Sequence, residues 1–147
     1  MNLFALLQRG AAHAPSETQR RQAQITASAE AARAMWLNAL FVDQTRAWMS
    51  IGEYDAGVLS GMASILTMAG MAHVHDTKST DSVDLRVIRG AISAATQCAK
   101  SGGIVSVDDA RAFSSAAVRA QNILREASVP AILHAAVSIR QVVGLVE

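Results

Sequence analysis

The sequence predicts an all-α fold, a single-domain bundle of about five helices with one long N-terminal helix and short connections. Three observations carry that expectation. Hydrophobic residues make up 51% of the chain but aromatics only 4%, so the apolar content is mostly alanine and aliphatic, and alanine is the strongest helix former. Apolar residues recur at spacings of three and four, whereas the period-two alternation of a strand is absent and β-branched residues are scattered among alanines. The length of 147 residues matches one domain able to bury a real core.

Residues 1–15, MNLFALLQRGAAHAP, read as a leading arm or a short helix from Asn2 to Arg9 stopped by Gly10. A mobile arm docking on a partner is the alternative. No basic residue precedes the apolar run, so the charge pattern of a secretory signal is missing. SETQ at 16–19 has the form of a capping box and starts a helix that nothing breaks before Gly52. In its first half Ala23, Ala27, Ala31 and Ala34 form a small-residue stripe, which implies a thin contact or a partly solvated arm. In its second half Trp36, Leu40 and Ala47 form one stripe and Leu37, Phe41 and Trp48 another, so this half enters the core, Phe41 and at least one tryptophan with it.

The segment GVLSGMASILTMAGMAHVHD, 57–76, is long enough for a membrane span, but its glycines, serines and threonine dilute the hydrophobicity and no Lys or Arg cluster flanks it. It reads as a buried helix. Gly57, Ser60, Gly61, Ser64 and Thr67 fall on one side, offering close approach to a neighbour, while Leu59, Met62, Leu66 and Ala69 form a ridge opposite. At its end His73 and His75 are two residues apart, so on a helix they diverge and do not share a metal with Asp76; they interact instead with the last carbonyls, and Asp76 opens the loop.

Residues 77–82 form a polar linker, in which Thr80, Asp81 or Ser82 can cap the next helix. The C-terminal half, 83–147, holds three helices. In the first, about 83–101, Leu85, Ile88, Ile92, Ala95 and Ala99 point inward, and Gly102 and Gly103 end it. Ser106, with Asp109 three residues on, opens the second, which carries Ala110, Phe113, Ala117, Ala120 and Leu124 inward to about Ala127. The third begins after Ser128 with Pro130 in its first turn; Ile132, Leu133, Ala136, Val137, Ile139 and Val143 give it the broad apolar face of a central strut.

Chemistry is hard to find. There is no G-x-S-x-G elbow, Walker motif or dinucleotide-binding glycine pattern. Cys98, the single cysteine, excludes an internal disulfide, falls on the inward side of its helix and reads as an inert core thiol in a reducing compartment, the cytoplasm. Asp108 and Asp109 sit at a helix start, where the dipole accounts for them. No catalytic residue, cofactor or metal is therefore assigned, and an enzyme is not expected. Binding is the remaining class. Trp36, Trp48 and Tyr54, with Phe41, gather within a short stretch and are candidate anchors for another protein, making the chain an adaptor or inhibitor. The alternative is nucleic acid, using Arg86 and Arg89 on one helix and Arg111 and Arg119 on the next; the net charge of +1 argues against it. The thin alanine stripe and the broad C-terminal apolar face leave surface that a homodimer would cover. Arginine and alanine richness with few lysines fits a GC-rich bacterial source, and a short chain without catalytic motifs suits an accessory protein of a bacterium, plasmid or phage.

Overall fold

A computed structural model of the chain describes residues 14–49 and 56–144, with side chains described over 14–41 and 57–139. Among the described residues there are five helices: α1 (Glu17–Met49), α2 (Ala56–Thr77), α3 (Val83–Lys100), α4 (Val107–Glu126) and α5 (Val129–Gly144). The leading helix expected at Asn2–Arg9 lies outside them. The five pack as a closed ring in the order α1, α4, α3, α2, α5, with α2 also touching α1 and α4 across the middle. The hub is thus α2, not the C-terminal helix expected as a central strut; α5 leans on α2 and α1, and its Val137 remains 53% exposed.

Caps set the helix limits where the sequence implies them. At the start of α1 the Ser16 hydroxyl accepts from the Gln19 amide at 3.1 Å, and Gln19 accepts from the Ser16 amide at 2.8 Å. Ser82, of the three candidates, caps α3, accepting from the Leu85 amide. Ser106 and Asp109 form the reciprocal box of α4. Gly102 and Gly103 end α3 with φ of 77° and 81°, and the Gly103 amide reaches back to the Cys98 carbonyl at 2.8 Å; that left-handed backbone strains any other residue. Helix α2 runs through Asp76 to Thr77, slightly beyond the expected end.

The stripe by which α1 enters the core differs from expectation. Ala29, Trp36 and Leu40 are buried, Thr26 is partly so, and the Arg33 side chain is 13% exposed. These positions alternate spacings of three and four, the seam of a coiled-coil-like contact. The alanine stripe at 23, 27, 31 and 34 instead faces solvent. So does Phe41, which is 64% exposed and not a core residue, because it lies about 100° around the helix from Leu40. Residues 14–25 are all exposed, so the first turns of α1 stand off the bundle. Gln22→Ala and Gln24→Ala, both in those exposed turns, are accordingly expected to shift folding stability by no more than about 0.5 kcal/mol each in urea unfolding.

In α2 the ridge is as expected, with Leu59, Met62, Leu66 and Ala69 buried along with Met68 and Ala72. The small-residue side is not. Gly57, Ser60, Gly61 and Ser64 are exposed, and a Cβ added at Gly61 would meet nothing within 4 Å. At Gly61, then, the small residue does not serve the close approach of a neighbour. Among the described residues, Gly57–Thr77 is the one helix whose length and composition would allow it to cross a membrane, and its ridge is packed inside the bundle.

On α3 the buried line is Leu85, Ile88, Ala91, Ala95 and Cys98. Ile92 is only half-buried and Ala99 exposed, a small rotation from the expected face. All five positions expected inward on α4 are buried, together with Ala116 and Ile123.

Candidate functional site

The turn from α2 to α3 makes the two helices antiparallel, and a Cβ at Gly70 would lie 3.5 Å from Leu85 Cδ2, so those two positions face each other. Beside that seam, α2 forms the floor of an open groove of about 590 Å3. Leu66, Met71 and Val74 supply the floor's apolar surface; Leu85, Ile88 and Ile92 form the α3 wall; His134 stands on the α5 side. Ile92 is half-buried because it lines this groove. The charged and ionisable lining residues are His75, Lys78, Arg89 and His134, and no carboxylate lines it. The acids lie elsewhere: Asp76, Asp84 and Glu126 border a separate small cleft of about 210 Å3.

Local structure places each basic group. Lys78 follows the last turn of α2 in the left-handed region, at φ 59°, with its amide bonded to the Val74 carbonyl at 2.8 Å. This is an αL helix stop where glycine or asparagine is ordinarily found, so the backbone alone does not account for a lysine. The His75 ring packs on the His134 ring, centroids 5.1 Å apart and tilted by 36°. Its Nδ1 is buried without a hydrogen bond, Asp76 Oδ1 being 3.7 Å away. Arg89 is exposed, one turn beyond Leu85.

Asp76 secures the end of α2 to the start of α5. Its two carboxylate oxygens accept from the Ser128 amide at 2.8 Å and the Ser128 hydroxyl at 2.5 Å, while that hydroxyl also accepts from the Ala131 amide at 3.2 Å. Burial pushes the Asp76 carboxyl up, but the Ser128 hydroxyl, the Ser128 amide and the neighbouring His75 outweigh it and hold the group below its ordinary 3.8. Asp109 is also held below 3.8, chiefly by the Ser106 amide, against burial and with help from the Ser106 hydroxyl and Cys98 thiol. Both folded values are depressed, so the stability they lend is complete above the unfolded value and is lost as pH falls through the folded ones. Unfolding midpoints should therefore decline below about pH 4, and Asp76→Asn should flatten part of that decline in a pH series of thermal melts.

The sequence-predicted site residues do not converge. Trp36 is 5% exposed and belongs to the core, so in this chain it cannot present its ring to a partner. The Trp48 side chain and Tyr54 lie outside the described residues. The four arginines are divided. Arg89 lines the groove over α2, whereas Arg119 donates to Asp84 at the seam of α3 and α4. Arg86 lies 3.7 Å from Asp81, and Arg111 is exposed. The helix-turn-helix likeness therefore does not form one arginine surface: Arg119 holds two helices together. His73 turns to Ser82, with Nε2 and Oγ 3.1 Å apart, and His75 to His134, so the two histidines diverge. Cys98 is buried, its thiol donating to Asp109 at 3.4 Å, and burial followed by the Asp109 carboxylate raises it above its ordinary value; such a thiol is a poor nucleophile.

Sequence reasoning missed the groove because its lining comes from three helices. One signal was present: the α2 row Leu66, Gly70, Val74 and Lys78 steps by four and ends in a cation. Comparison with protein-family models, curated proteins and solved structures gives no match to this chain.

Proposed function

We propose that the protein acts without catalysis, by seating a segment of another protein in the groove over α2, as a cytoplasmic adaptor or inhibitor. The observation that supports this reading is the groove itself, an open channel of about 590 Å3 lined mostly by apolar residues of α2 and α3. A concave apolar surface with a few charged groups at its edges suits a peptide segment better than a flat exposed helix would. A homodimer belongs to the same reading, since Ile25, Met35 and Phe41 leave apolar surface along α1 at 42%, 64% and 64% exposure. The nucleic-acid reading has weaker support, because Arg119 is engaged with Asp84 and Arg89 looks into an apolar groove.

The test is capture from a bacterial lysate treated with nuclease and washed at high salt, using the wild-type chain and Met71→Asp. A stoichiometric protein that binds wild type, rebinds when purified and is lost with Met71→Asp supports the reading. Binding that vanishes with nuclease, or that ignores Met71→Asp, overturns it.

A further inference from the structure

We infer that the segment this groove takes is an amphipathic helix with an acidic polar face. The inference rests on the protein-binding reading and adds the chemistry of the partner. Charge complementarity is its first support. The groove is lined by Lys78, Arg89 and two histidines and by no carboxylate, in a chain whose net charge is only +1. Two cations and no carboxylate line this channel, so a cationic segment is opposed there and an anionic one is favoured.

The spacing of those groups selects a helix over a single-headed lipid. The α2 lining runs from Leu66 to Lys78, about 18 Å of axis at ~1.5 Å per residue. Because Leu85 faces Gly70 and the helices are antiparallel, Arg89, one turn after Leu85, lies level with Leu66. One cation therefore stands toward each end of the channel, Lys78 at the α2–α3 turn and Arg89 one turn short of Ile92. A fatty acid or phospholipid carries its anion at one end and answers only one of them. A helix of about three turns, with apolar residues spaced by three and four, lays its ridge on Leu66, Met71, Val74 and Ile92 and offers carboxylates to both. The left-handed backbone of Lys78 points the same way: glycine would fit that turn with less strain but would remove the charge at the channel mouth.

The experiment measures binding of a synthetic amphipathic peptide of roughly 15 residues, leucine on one face and glutamate flanking it. Its lysine-flanked counterpart and vesicles of anionic phospholipid serve as the other probes. Wild type should bind the glutamate peptide at least tenfold more tightly than the lysine peptide. Lys78→Glu combined with Arg89→Glu, both exposed positions, should reverse that preference with the melting temperature unchanged. Lys78→Gly should keep or raise the melting temperature yet weaken the glutamate peptide. Equal binding of the two peptides, failure of the reversal, or binding of vesicles alone overturns the inference. If the lysine peptide is preferred and Met71→Asp abolishes its binding, the protein-binding reading stands while the acidic partner falls. If no peptide binds at any accessible concentration, both fall.

Discussion

Phe113→Ala is expected to destabilise the bundle by about 3–5 kcal/mol, the usual range for truncating a fully buried aromatic. Phe113 is 1% exposed on α4, the helix that touches α1, α2 and α3, so its removal leaves a cavity where several contacts meet. The cost combines lost transfer of the ring from water with the void left behind, and close-packed neighbours collapse into such a void only partly. Against a total stability of about 5–15 kcal/mol, this is about a fifth of the whole or more. Urea unfolding should show a large fall in midpoint with the slope preserved. Val107→Ala, at a position 48% exposed on the same helix, should change stability by about 0.5 kcal/mol at most.

Arg33→Met should cost about 1.5–3 kcal/mol, the range for hydrogen bonds made by a charged group. The Arg33 guanidinium reaches from α1 to the carbonyls of Leu124 and Arg125, the second at 3.2 Å, and is steadied by Glu30 at 3.0 Å. Those carbonyls lie in the last turn of α4, where no intrahelical amide remains to bond them and the helix dipole favours a cation. Arg33 is therefore a C-cap supplied from another helix. Methionine keeps the aliphatic length of the stem and removes the donors, so the loss reports the cap. Glu30→Gln, which leaves the carbonyl contacts in place, should cost much less, since Glu30 is half exposed and screened by water. Comparing the two variants by chemical denaturation separates the cap from the ion pair.

Much of the architecture was legible because capping is local. Ser16 with Gln19, Ser82, and Ser106 with Asp109 each sit at the boundary their spacing implies. The positively twisted glycines 102 and 103 stop α3 where the sequence places them. The face of α4 was equally clear, since five apolar residues at spacings of three and four leave no rival stripe. On α1 the pattern misled. Its buried seam includes Thr26 and Arg33, which look like surface residues until α4 presents unpaired carbonyls to the arginine. The more regular alanine stripe therefore drew the eye although it faces water. Phe41 misled for a related reason: an aromatic beside a buried stripe is not on it, and Phe41 stays 64% exposed.

The site was less legible than the fold. Trp36 was a reasonable anchor by composition, but its register with Leu40 carries it into the core. The arginines at 86, 89, 111 and 119 resemble one patch in a linear reading, and the long-range partner Asp84 removes Arg119 from it. The groove depends on the antiparallel register of α2 and α3 and on where α5 lies, neither of which local pattern reveals. The row ending in Lys78, just past the end of α2, and the lysine's own left-handed backbone mark it within one stretch of sequence.

The measurement that tests the central claim most directly is hydrogen exchange on the wild-type chain, with and without the protein partner captured from lysate. Seating of the partner in the groove predicts added protection confined to α2 from Leu66 to Lys78, α3 from Leu85 to Ile92 and the α5 turn around His134, with the amides of α4 unchanged. Protection that leaves those segments untouched and falls instead on α4 around Arg111 or on the exposed side of α1 would contradict the account.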